Sequence, residues 1–241
     1  RAELHALRAA LAADRGRAAA ALSLFDRAAQ LYRALGERHA LGRTLLAKSA
    51  VTTPPLAAEA RLALLREGLS LLDERLEPRL AAEAHHRLVA GLIDAGLAGE
   101  GLLHLQKARL LERKAGDAVG LLRLLRLEGK IAEALERTDE AERLLCEAWT
   151  GLVGLRLGQD AAAVTIDLAR LYARAGRTAD ARRWAQRLSP LFHARGLDRG
   201  AIAGLLVLQR ALETETATPD FIAELDNYLR RPTPAQLRRA S

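Results

Sequence analysis

Methionine is absent from the 241-residue sequence, cysteine occurs once, and Phe, Trp and Tyr together make up only 3% of it. One cysteine, Cys146, excludes a disulfide framework and any Cys-rich zinc module. Scarce aromatics remove the stacking platforms on which single-stranded nucleic acids are usually held, and no recognised nucleic-acid module is present. No apolar run reaches the roughly 18 residues that would suggest a membrane span. The phosphate-loop pattern ending in Gly-Lys-Ser/Thr is missing, as is the zinc-protease pattern. With no convergent nucleophile or acid–base set, the sequence points away from an enzyme and calls for no cofactor.

What is present is Leu and Ala in quantity. Half of the residues are hydrophobic and 28% are charged, which excludes intrinsic disorder. Lys and Arg number 37 against 30 Asp and Glu, a net charge of +7 with a pI near 10.2. Basic surface alone gives only salt-sensitive, nonspecific association with nucleic acid. A chain that starts at Arg1 and lacks Met reads as an excised piece of a longer protein, so an N-terminal signal is not judged. The expected location is cytoplasmic.

The most informative feature is self-similarity at a period of 40 residues. Stepping from Ala141 in both directions gives Ala21, Arg61, Gly101, Ala181 and Phe221. Four residues on stand Phe25, Leu65, Leu105, Leu145, Ala185 and Leu225. Three further on come Ala28, Gly68, Ala108, Ala148, Leu188 and Tyr228. Gly36, Gly116 and Gly196 share a later phase, two units apart.

Within each unit the apolar residues recur at helical spacing, with no strand signal in competition. Leu121, Leu124 and Leu125 share a face that continues through Gly129, Ala132 and Leu135; after a turn come Ala141, Leu144, Leu145 and Ala148. Each unit is thus two antiparallel helices. Gly16, Gly96 and Gly176 fall where the first helix should end, since glycine accepts the left-handed conformation. Thr138-Asp139 and Thr178 are candidate caps for second helices, and Asp117, Asp160, Asp198 and Thr218 for other helices, with Pro219 suited to a first turn. Pro54-Pro55 should stop the first helix of the second unit near Thr52. A lone hairpin cannot bury its apolar faces, so neighbouring hairpins must stack.

The segment from Leu168 to Ala181 resembles the tetratricopeptide repeat: Leu168, Ala169, Tyr172, Gly176 and Asp180-Ala181 occupy its large, small, aromatic, glycine and acidic-Ala places. Gly129, Glu140-Ala141 and Ala148 match in the preceding unit. A 40-residue spacing, against about 34 for the ordinary repeat, is similar to the long-helix variety of kinesin light chain and of bacterial signalling and transcription regulators. The resemblance implies an all-α fold, a right-handed solenoid of six antiparallel helix pairs. Its units are 2–37, 38–77, 78–117, 118–157, 158–197 and 198–231 of a single domain spanning 1–232, with 233–241 a frayed tail or linker. It implies a concave, ligand-binding inner face lined by the first helices, and no catalysis.

Carried onto this phase, the inner-face positions hold Arg43, His86, Arg123, Arg126, Lys130, Arg170, Arg174 and Arg210. Acidic residues at such places are Glu3, Asp14, Glu83, Asp94, Glu133 and Glu213. The fourth and fifth units contribute five basic side chains against one acidic. The expectation is a basic groove that takes an acidic or C-terminal-carboxylate peptide, weighed against an ordinary solvated helix face. Other candidates have plainer readings. Gly96 to Gly101 lies on a repeat turn without the strand that a nucleotide fingerprint needs. His85, His86 and His104 invite a metal reading, but His85 and His86 point about 100° apart, and His85 occupies a packing phase. Cys146, Trp149 and Trp184 fall on second helices as core residues, with ligand stacking as the alternative for the two tryptophans. Phe221, Ile222, Leu225 and Tyr228 suggest that the last helix caps the stack. The leading expectation is a non-catalytic scaffold for another protein or peptide. The alternative is the sensor or oligomerisation part of a bacterial regulator, with self-association through uncapped apolar ends.

Overall fold

Helix starts recur with the period read from the sequence. The computed structural model describes residues 1–51, 57–193, 197 and 199–229. Among them are twelve α-helices and no β-strand. They are α1 (Ala2–Asp14), α2 (Ala18–Leu35), α3 (Arg38–Ser49), α4 (Ala58–Leu71), α5 (Pro78–Asp94) and α6 (Ala98–Ala115). There follow α7 (Ala118–Ala134), α8 (Thr138–Gly154), α9 (Gly158–Arg174), α10 (Thr178–Ala185), α11 (Arg199–Glu213) and α12 (Pro219–Leu229). Second helices begin at Ala18, Ala58, Ala98, Thr138 and Thr178, and first helices at Arg38, Pro78, Ala118 and Gly158, so the 40-residue phase is also a structural phase.

The chain divides into two compact units at a repeat boundary, one ending at Asp117 and the next beginning at Ala118. In the first unit α1 to α6 each pack on their neighbours in sequence; in the second, α7 to α12 do the same. The repeated positions explain why. Phe25, Leu65, Leu105, Leu145, Ala185 and Leu225 are all buried, as are Ala28, Gly68, Ala108, Ala148 and Leu188. Each buried Leu contributes roughly 1.5–3 kcal/mol, so several per hairpin are needed to offset chain entropy. Small residues set the approach of the helices. A Cβ on Gly42 would stand 2.8 Å from the Gly68 carbonyl oxygen, and one on Gly129 would stand 2.8 Å from Leu145 Cγ.

The hairpin turns use left-handed residues. Gly16, Gly96 and Gly176 have φ of +68°, +74° and +63°. The equivalent turn between α7 and α8 forces Glu136 to +60°, and the turn before α12 puts Glu215 at +58°. For a residue with a side chain that conformation costs about 1–2 kcal/mol.

Several caps differ from expectation. Arg137 and Arg177 occupy the N-cap positions of α8 and α10, with no side-chain cap bond, so Thr138 and Thr178 lie inside their helices. The turns close through the backbone instead, as when the Arg137 N–H donates to the Ala132 carbonyl at 2.9 Å. Asp160 is the third residue of α9, where its carboxylate is held by Arg123. Thr218 does cap α12: its Oγ1 accepts from the Phe221 N–H at 3.2 Å, and Pro219 opens the helix. The second helix of the fifth hairpin is broken. α10 ends at Ala185 and the chain continues as a 3-10 turn over Ser189–His193. Pro190, which lacks an N–H, accounts for the interruption. Pro54, Pro55, Gly196, Asp198 and the tail from Thr233 lie outside the described residues.

Ion pairs recur between hairpins at 34 or 35 residues, short of the 40-residue repeat. Arg33 meets Glu67 at 2.8 Å, Arg43 meets Glu77 at 3.0 Å and Arg66 meets Glu100 at 2.8 Å in the first unit. Arg177 meets Glu142 at 2.6 Å in the second. Exposed pairs contribute about 0–1 kcal/mol each, so they fix which hairpin faces point at each other while Leu and Ala burial supplies the stability.

Candidate functional site

The first helices of the second unit, α7 and α9, bring five of the eight expected residues onto neighbouring turns: Arg123, Arg126, Lys130, Arg170 and Arg174. The four guanidinium groups do not form a bare basic surface. Arg123 grips Asp160 with both arms of its fork, Nε to Oδ1 at 2.8 Å and Nη2 to Oδ2 at 2.9 Å. Arg126 Nε donates to Asp167 Oδ2 at 2.5 Å. Arg170 bridges two carboxylates, Asp167 Oδ1 at 3.4 Å and Asp226 Oδ2 at 3.0 Å. Arg174 Nη1 donates to Glu133 Oε1 at 3.3 Å.

The result is a chain of alternating charge, Arg126–Asp167–Arg170–Asp226, running from α7 through α9 to α12. Its centre, Asp167, is buried on α9, where a carboxylate is tolerated because two guanidinium groups hold it. Burial pushes the Glu133 carboxyl above its ordinary pKa, against the pull of Arg174, while the Asp167 charge pushes it the same way. The expected balance of five bases against one acid thus becomes five bases with Glu133, Asp160, Asp167 and Asp226 among them. Sequence reasoning did not single out Asp167 and assigned Asp160 to capping. No common offset marked them: Asp160 and Asp167 follow Arg123 and Arg126 by 37 and 41 residues, whereas Arg33–Glu67 and Arg66–Glu100 are 34 apart.

The remaining expected residues pair with other carboxylates. Arg43 Nε is 3.0 Å from Glu77 in the first unit. In the same unit His86 Nε2 stands 3.3 Å from Glu112 Oε1. Arg210 on α11 pairs loosely with Glu213 at 3.7 Å.

The first unit also holds a cluster in which buried His85 lies between the partly buried His104 and Glu74. His85 Nδ1 lies 3.1 Å from His104 Nδ1, and His85 Nε2 lies 3.4 Å from Glu74 Oε1. A carboxylate only accepts, so Nε2 carries the His85 proton, Nδ1 accepts, and His104 Nδ1–H donates. Both rings have pKa values pushed down, first by burial. His85 therefore spends one nitrogen on each partner.

The core readings of the tryptophans hold. Trp149 and Trp184 are buried edge to face, with ring centroids 4.9 Å apart, and Trp149 Nε1 donates to Thr165 Oγ1 at 3.0 Å. Cys146 is half-buried against the same cluster, and burial raises its thiol pKa, the opposite of what a nucleophile needs.

Among the described residues no helix is long and apolar enough to cross a membrane. Compared with known proteins, the chain matches no family model and no curated protein.

Proposed function

We propose that the chain is a non-catalytic interaction scaffold of the tetratricopeptide kind, whose first-helix face receives an acidic segment of a partner protein. One observation carries this reading. Arg123, Arg126, Arg170 and Arg174 converge on one face of the second unit, and each of them holds a carboxylate. A surface that already satisfies carboxylates by directed guanidinium bonds suits exchange of its exposed pairs with carboxylates of a ligand. Arg123 and Arg174 are the exchangeable members, with 52% and 64% of their side chains exposed, whereas Asp167 is sealed at 1%.

The test is binding of an acidic peptide library to the whole chain and to R123E/R174E. Those substitutions leave the buried Arg126–Asp167 pair intact, so loss of binding reports on the surface. Equal binding by both proteins refutes the proposal.

A second reading, an oligomerisation module, is favoured by α1. Leu4, Leu7 and Leu11 form an exposed stripe on it. One repeat later the place of Leu11 is taken by Val51, which is buried with Ala9, Ala18, Ala21 and Phe25 of the preceding hairpin. Sedimentation across a concentration series tests it: association that L4S/L7S/L11S abolishes supports the reading, and a monomer throughout rejects it.

A further inference from the structure

The helix α12 does not pack as the other second helices do. In the first unit α2 and α4 each lie on the first helix of their own hairpin and the first helix of the next, and in the second unit α8 and α10 do the same. α12 lies on α11, its own first helix, and turns back onto α9, the first helix of the hairpin before. Among the described residues, neither α4 nor α6 in the first unit, nor α10 in the second, packs backward in this way. α12 therefore covers the side of α9 that carries Arg170.

Its chemistry suits the place. Ile222 and Leu225 are buried there, and the Leu229 side chain reaches the surface of Gly204, where a Cβ would stand 2.9 Å from its Cδ2. These three residues fall at i, i+3 and i+7, one stripe of a helix. Asp226, at i+4, meets Arg170 at 3.0 Å, and both side chains are more than four-fifths buried. Asp220 and Glu224 make the helix acidic along its exposed side. The turn that delivers it puts Glu215 in the left-handed region, as the turn between α7 and α8 does with Glu136.

We infer that α12 is a built-in occupant of a helix-docking site formed by α9 and α11. The external ligand of that site is an acidic amphipathic helix with aliphatic anchors at i, i+3 and i+7 and a carboxylate at i+4. The inference rests on the reading of the first-helix face as a partner surface, and it names both the ligand class and the device that keeps the site closed. Binding of a partner helix requires release of α12, so affinity for any such ligand is reduced by the fraction of time α12 is docked.

The experiment measures fluorescence anisotropy of a labelled peptide of residues 216–229 titrated with the full chain. Three proteins are compared: the unaltered chain, I222S/D226R, and I222S/D226R with R170E added. The I222S/D226R variant removes one apolar anchor and the ion pair of the internal helix, and it is expected to bind the peptide at least tenfold more tightly than the unaltered chain. Adding R170E should abolish that gain, and a peptide carrying the D226R change should restore it through the swapped charges. Binding no tighter in I222S/D226R, or a gain indifferent to R170E, overturns the inference. So does loss of the cooperative thermal transition in I222S/D226R, which would make α12 an integral cap rather than a releasable one. If this peptide fails while library peptides still bind the chain and lose to R123E/R174E, the inference falls and the proposed function stands.

Discussion

Asp167 offers the sharpest check on the electrostatics of the second unit. Replacing it with Ala leaves Arg126 without the acceptor it holds at 2.5 Å and removes one of the two acceptors of Arg170. The two arginine side chains are only 23% and 18% exposed, so water replaces the lost carboxylate poorly. Deleting one member of a buried pair costs about 3–5 kcal/mol, and the partial exposure of the arginines places D167A near the low end, at about 3 kcal/mol. The comparison is D160A, whose partner Arg123 is half exposed and whose loss should cost about 1 kcal/mol or less. For a chain of this size about 3 kcal/mol lowers the thermal midpoint by roughly 6–12 °C. Urea and thermal unfolding followed by circular dichroism supply both numbers. Because a buried ion pair and an apolar pair of similar volume are often nearly equivalent, R126M/D167L should recover most of the loss. If D167A and D160A unfold within about 0.5 kcal/mol of each other, well inside the gap expected between buried and exposed pairs, the argument from burial is refuted.

Other expectations follow from backbone and packing. Glu136→Gly relieves a left-handed strain at φ +60° and, after the entropy cost of glycine, should stabilise by about 0.5–1 kcal/mol, whereas Gly176→Ala in the same turn position should destabilise by about 1 kcal/mol; midpoints moving the other way would contradict this. Gly42→Ala drives a Cβ to 2.8 Å from the Gly68 carbonyl oxygen, a backbone atom that cannot step aside, and should cost about 1–3 kcal/mol in urea unfolding. The His85–His104 pair should make the chain less stable in mild acid. Both rings titrate below the 6.5 of the unfolded chain, so the unfolded chain binds more protons and stability, full above that pH, is lost as pH falls toward the folded values. Glu74 favours protonation of His85 while Lys107 opposes it; Glu100 favours and Arg66 and Lys107 oppose protonation of His104. His104→Gln should shrink the difference between urea midpoints measured at pH 7.5 and 5.5, and an unchanged difference would remove the pair from the account.

The hairpins, their 40-residue phase and the faces they bury were legible in the sequence because each is local. A helix shows its buried stripe through the spacing of its own Leu and Ala residues, and Gly96 or Gly176 marks its own turn. The left-handed Glu136 and the break after α10 near Pro190 were less legible, since the first has no glycine to mark its turn and the second follows from one residue against a helical background. Charge pairing was the part that tertiary structure decided. An Arg at an inner-face position reads the same in sequence whether it faces water, as a ligand site needs, or a buried Asp167 supplied by the next repeat. Likewise α12 has the pattern of an ordinary second helix, and only the packing shows it turned back onto α9 with Asp226 at Arg170. Periodicity fixes which side of a helix is apolar; which other helix answers that side, and which carboxylate meets which guanidinium, depends on distances between segments that no local pattern encodes.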